Sequence, residues 1–223
     1  MPTPATSALF AHRRSRLIAY ALALGLLLLA GAVYSVGSWN RAVERHERDL
    51  RTRVVMGAAA VNSYLTAVEQ SFAELSDRLM EQDSPQELQA LLQRYKRHHP
   101  EFELVSLIGI NGEPIAASGG QIADAAQAPF FIDLRAQLLK SPRLAISRPF
   151  YGRTMPKWLV HLRYAARDAG GQIHFTIGAS IPVEHAQSFW RDVPLPAGAD
   201  MGLLREDLYA IARYPVPKSL GAG

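Results

Sequence analysis

The feature that most constrains this chain is a run of twenty residues, 17–36, that carries no charge and is rich in leucine and alanine. At about 1.5 Å per residue such a helix reaches roughly 30 Å, the thickness of a bilayer's hydrocarbon core. Tyr34 and Trp39 fall where an interfacial aromatic belt would lie. Arg13, Arg14 and Arg16 immediately precede the span, which by the positive-inside rule puts residues 1–16 in the cytoplasm. Five arginines between Arg41 and Arg53 follow it closely, offset by Glu44, Glu47 and Asp49. Long following domains translocate largely regardless of such charges, so the expected orientation remains N-terminus in, main domain out. A cleaved signal peptide is the rival, because Ala30-Gly31-Ala32 mimics a small-x-small processing site. Either way the body lies outside the cytoplasm.

The net charge of +4 belongs mostly to that end of the chain. Three of the 24 basic residues lie in the first 36 positions, leaving 21 against 20 acids. A body so nearly neutral gives no argument for nucleic-acid binding. The absence of cysteine excludes disulfides, thiolate nucleophiles and cysteine zinc sites. With 48% hydrophobic residues a packed core is expected rather than disorder.

From residue 41 to 81 there is no proline, and apolar or small residues recur at Leu50, Val54, Ala58, Val61, Leu65, Val68, Phe72, Leu75 and Leu79. Steps of three and four predict one long helix, 37–82, continuing out of the membrane. Its stripe serves to pack on a sheet, to pair with a second copy, or both at different heights. Ser84-Pro85-Gln86-Glu87 is a capping box with proline at the first helical position, opening a short helix. Residues 102–110 and 113–117 read as strands about an Asn111-Gly112 turn. A helix then opens at Pro129. Strands follow at 144–150, 157–166 and 172–181, joined by short turns and therefore antiparallel neighbours. A helix over 183–192, a Pro-rich connection and a hairpin over 201–214 close the pattern. The domains are expected as 1–16, 17–36, 37–82, a sensor-sized core at 83–193, and 194–223 as a C-terminal hairpin or the start of a second lobe. The fold class is α+β, a long helix packed on a five-stranded antiparallel PAS-like sheet.

With these elements placed, the chain resembles the extracytoplasmic double-Cache (PAS-like) sensor region of membrane-bound diguanylate cyclases and histidine kinases, over roughly residues 15–215. The resemblance rests on element order and three stretches: Ala128-Pro129-Phe130-Phe131; Ser147 to Arg153 with Trp158, similar to a family Gly-Arg-Pro-x-x-Gly-Arg segment; and Gly202 to Asp207 running to Ala212-Arg213-Tyr214-Pro215. It implies inner-membrane, single-pass localisation and sensing of a small metabolite. In the family a second lobe, a second span and an output domain follow the final hairpin; the expectation is thus a truncated or partner-dependent receptor. The amino-acid-binding branch carries an Asp where this sequence has Ser180, and its Arg-x-Trp-Tyr motif is absent around Phe130, so the resemblance does not imply amino-acid recognition.

The same comparison turns the strand face of Ser180, Thr176 and His174 toward a pocket, with His161 and Arg163 beside it on the neighbouring strand. Arg148 and Arg153 flank a turn and suit a carboxylate or phosphate clamp. Phe130, Phe131, Tyr151 and Trp158 would supply apolar walls. The plainer alternatives stay open: the arginines solvate a sheet edge, Trp158 is core with Val160 and Leu162, and His161 is an ordinary hydrogen-bonded histidine. His98-His99 ends a helix, where a cation suits the dipole, and no carboxylate accompanies it at metal-ligand spacing. No cofactor, metal or catalytic residue is expected, and no nucleic-acid partner. The expected partners are the lipid bilayer, a small anionic metabolite and a second copy through the long helix. The rival function is a bitopic structural subunit of a secretion or pilus-type assembly. An enzyme ranks third, since no nucleophile-base order, paired carboxylates or phosphate loop stands out.

Overall fold

The computed structural model describes residues 4–119, 122, 125–140, 144–152, 155–168, 170–186, 195–196 and 198–214. Helix α1 runs Pro4–Met80, and two compact units meet within it, one ending at Val54 and the other starting at Val55. In the first unit α1 carries a stretch long and apolar enough to cross a membrane, and none of it is buried. That is how a helix looks when its solvent is lipid rather than protein.

The second unit is α+β. After α1 come α2 (Pro85–His98), β1 (Leu104–Ile108), β2 (Pro114–Ala117), α3 (Pro129–Lys140), β3 (Leu144–Ile146), β4 (Phe150–Tyr151), β5 (Trp158–Arg167), β6 (Ile173–Pro182), α4 (Val183–Ala186), β7 (Met201–Leu204) and β8 (Ala210–Tyr214). Ser84 caps α2 as expected: its hydroxyl accepts from the Glu87 N–H at 3.2 Å, with proline at N1. Gly112 turns β1 into β2 at φ 102°, in a region that L side chains avoid, and any Cβ there would collide with Ala126.

The main sheet is antiparallel in the order β2-β1-β6-β5-β3, with β4 also on β5. The expected third strand, 144–150, is in fact two. Pro149 lacks an N–H, and at the break the Ser147 hydroxyl accepts the His161 N–H at 2.9 Å. β3 and β4 share one edge of β5, so six strands occupy five lanes. The β7–β8 hairpin forms a separate two-stranded sheet. The helix expected over 183–192 is described only as α4, its remainder lying outside the described residues.

Period-two alternation gives the main sheet two unlike faces. One packs on α1 and α2: Val105, Leu107, Leu162, Tyr164, Ile177 and Ala179 meet Val68, Phe72, Leu75, Leu79 and Leu92. The α1 stripe is therefore sheet core from Val61 onward, whereas Val54 and Ala58 remain exposed. A smaller cluster joins Val61 and Val160 to Ile211 and Ala212 of the hairpin. The opposite face is covered by α3 and the segment before it, through Leu134, Leu138 and Phe131.

Candidate functional site

Polar side chains are concentrated on the α3-covered face. His161 pairs with Ser180 across β5 and β6, Arg163 with Gly178, and Ala165 with Thr176, which puts His161, Arg163, Thr176 and Ser180 on one side. All four are buried, Arg163 at 1% exposure and His161 at 7%. The strand positions that the sequence assigned to this face are thus together, apart from His174. Near the strand's outer end, His174 is exposed and lies beside Asp168 at 3.7 Å.

Arg163 is the unusual member. Its Nη1 donates to Thr176 Oγ1 at 3.0 Å, and its guanidinium lies 5.5 Å from the centre of the Phe131 ring. Thr176 Oγ1 in turn donates to the Ile108 carbonyl at 2.9 Å. Nε is buried without a hydrogen-bond partner, and no carboxylate pairs with this arginine among the described residues. Burial pushes its pKa down to about 10, still well above neutrality, so the cation persists. Gly178 makes room for it: a Cβ there would lie 2.6 Å from the guanidinium carbon.

His161 packs against two rings that also touch each other, 4.7 Å from Phe130 and 4.8 Å from Phe150, with Nδ1 3.0 Å from Ser180 Oγ. Burial, and then the charge on Arg163, push its pKa down to about 3, so it is a neutral imidazole in the fold. Phe130 stacks on Phe150 at 4.6 Å. The first turn of α3 thus lays Phe130 and Phe131 over the two basic groups. Phe150 is a site residue that the sequence reading passed over, although it falls within the Ser147–Arg153 stretch. Gly178 is another, and only the register across the strands reveals it.

Three expected residues lie elsewhere. Trp158, at 50% exposure, neither joins the core nor faces His161; Tyr151, at 55%, meets it edge-on at 5.8 Å and donates to the Pro156 carbonyl. Both sit at the end of the sheet, where β4 pairs with the start of β5. Arg148 turns to the hairpin, bonding Asp207 at 2.8 Å and covering the Tyr209 ring. Arg153 lies outside the described residues.

The Arg148 contact belongs to a network that sequence reasoning missed. Arg205, from the hairpin turn, donates to Asp133 of α3 at 2.6 Å, to the Ile146 carbonyl at 2.6 Å, and to Asp207. Hydrogen bonds to Asp133 chiefly push the Arg205 pKa up, and the bond from Arg148 chiefly pulls that of Asp207 down. Asp133 lies two residues after Phe131, so one short helix touches both the buried arginine and the C-terminal hairpin.

Among the described residues no three His, Cys, Asp or Glu side chains gather as a metal would require. No protein-family model and no curated protein matches the sequence. Solved structures do match. The chain is similar to the extracellular domain of a protein described as histidine kinase rpHK1S-Z16, with TM-score 0.59 and 17% identity over 73% of this chain and 69% of that one. It is similar to the ligand-binding domain of the Pseudomonas fluorescens chemoreceptor CtaA in complex with L-isoleucine, with TM-score 0.61 and 14% identity over 78% and 71%. The ligand-binding domain of the Pseudomonas aeruginosa PAO1 chemoreceptor PctB in complex with L-Arg gives TM-score 0.62 and 16% identity over 76% and 70%. At such identities the likeness is one of fold: the chain has the Cache-like, PAS-like fold of extracellular sensor domains from histidine kinases and chemoreceptors.

Proposed function

We propose that the unit from Val55 onward is an extracytoplasmic sensor domain for a small anionic metabolite, tethered to the inner membrane by the apolar part of α1 with the N-terminus in the cytoplasm. The observation that carries this reading is Arg163, a buried guanidinium whose only described partners are a hydroxyl and a ring. Such a cation is costly to bury unless an anion completes it. A carboxylate or phosphate oxygen supplies the acceptor that Nε lacks. CtaA and PctB carry amino acids in their structures. Here a face bearing Arg163 and lacking a carboxylate among the described residues favours an anion over an ammonium group.

Binding shifts the domain only if it favours one of two states. In the described state Phe131 covers the guanidinium; in the ligand-bound state the anion takes its place and the first turn of α3 moves aside. The Asp133–Arg205 pair transmits that movement to the hairpin, and the hairpin rests on α1 at Val61. A second copy would pack on the exposed Val54 and Ala58, one helical turn apart.

The rings packed over His161 also suit a structural subunit with no ligand. Thermal unfolding of the full chain in detergent, screened against organic acids and phosphates, separates the two readings. Sensing requires stabilisation that Arg163→Met abolishes; no response to any class leaves the structural subunit.

A further inference from the structure

A groove of about 230 Å³ opens between α1 and α2, on the far side of the sheet from Arg163. We infer that it is a second binding site, for a small organic carboxylate with an apolar body, held by Arg78 and Arg94 over a floor of Leu75, Leu91 and Tyr95. The volume lies below the roughly 300–1,000 Å³ of pockets that take drug-sized ligands, which suits a small metabolite.

Three observations favour a ligand over an ordinary crevice. Arg78 of α1 and Arg94 of α2 both line the groove, and neither forms an ion pair among the described residues. Two unengaged guanidiniums at one opening, against the single carboxylate of Glu74, make a net cationic rim. Between them the floor carries a built chain of hydrogen bonds. The Ser71 hydroxyl is 2.8 Å from Tyr95 OH and 3.4 Å from His99 Nε2, while His99 Nδ1 is 3.1 Å from Glu101. Glu101 on Nδ1 favours the tautomer that leaves Nε2 as an acceptor, so protons point from Tyr95 through Ser71 toward His99. Tyr95 also stacks on His99 at 4.3 Å, which fixes both rings at the groove wall. Burial pushes the Tyr95 phenol up to about 12, so it stays neutral and adds no negative charge to repel an anion.

The order Ser71, His99, Glu101 is that of a nucleophile, base and orienting acid, but the groove does not support hydrolysis. Ser71 lies deep within α1, where backbone N–H groups are spent on the helix and none is left to hold an oxyanion. What remains is recognition. A carboxylate engaging both arginines would clip α2 onto α1, on the layer opposite the proposed Arg163 site.

The test is isothermal titration of the full chain in detergent with benzoate, and with inorganic phosphate for comparison. Saturable benzoate binding is expected, weakened at least tenfold by Arg78→Gln and by Arg94→Gln, a few-fold by Tyr95→Phe, and unchanged by Arg163→Met. Both glutamine changes fall on exposed side chains, so the fold should persist. No benzoate binding, equal binding by the glutamine variants, or phosphate binding as tight as benzoate would overturn the proposal. Benzoate binding lost only with Arg163→Met would also overturn it while supporting the Arg163 site.

Discussion

The two faces of the main sheet are equally hidden from water yet built on opposite terms. Against α1 and α2 the sheet presents Val105, Leu107, Leu162, Ile177 and Ala179, with Phe72 at their centre in contact with three other rings. Such burial is favourable in proportion to area and has no directional requirement. Against α3 the same strands present a guanidinium, an imidazole and two hydroxyls, each acceptable only while its partners hold position. The contrast teaches where stability is unconditional and where it depends on exact partners. The apolar face makes the domain, and the polar face makes it conditional.

The largest effect should come from Phe72→Ala, which empties the apolar face at a fully buried ring. A loss of about 3–5 kcal/mol is expected in urea unfolding; a loss under about 1 kcal/mol would break the comparison at its base. Next comes acid. The unfolded His161 imidazole titrates near 6.5, whereas the folded one resists protonation to about 3. Between those values the unfolded chain binds a proton that the folded chain refuses, so stability falls as pH drops below 6.5 and the loss levels off near 3. By pH 4 this amounts to about 3 kcal/mol. His161→Phe keeps a ring against Phe130 and Phe150, so its unfolding profile should be flatter over this range than that of the parent chain.

Gly178→Ala pushes a methyl group into the Arg163 guanidinium and should cost about 1–3 kcal/mol. In an Arg163→Met background the same change should cost clearly less, a coupling that a double-mutant cycle measures. The smallest effect is expected of Arg163→Met alone. Exchanging a poorly compensated buried cation for an apolar chain of similar reach should leave stability unchanged or slightly raised. A loss of about 3 kcal/mol or more would mean that the arginine is already paired, and the anion-site reading would fall with it.

Much of this architecture is legible in the order of residues because it depends on local rules. The uncharged run at 17–36, the Ser84-Pro85 cap, the Gly112 turn and the alternation in β5 each follow from a few neighbours. Alternation even assigns His161 and Arg163 to the face opposite Leu162 and Tyr164. Two misplacements show where such rules stop. Trp158 has the parity of Val160 and Leu162, but it begins β5 at the end of the sheet, and parity does not report how far the covering layer extends. Arg148 has the chemistry of an anion clamp, but Asp207 lies 59 residues away in sequence and claims it first.

By itself the sequence determined that a charge-free span precedes a long amphipathic helix and that at least five short strands follow, the two longest with two unlike sides. These are matters of period and backbone chemistry, decided within a turn or a pair of neighbours. Only the tertiary structure decided that β1 pairs with β6, so that Ile108 meets Thr176 across 68 residues. It alone decided that Gly178 opens a space for Arg163 and that Phe131 closes over it. Those outcomes depend on which distant groups meet at contact distance, and loop closure leaves them open until the whole sheet has formed.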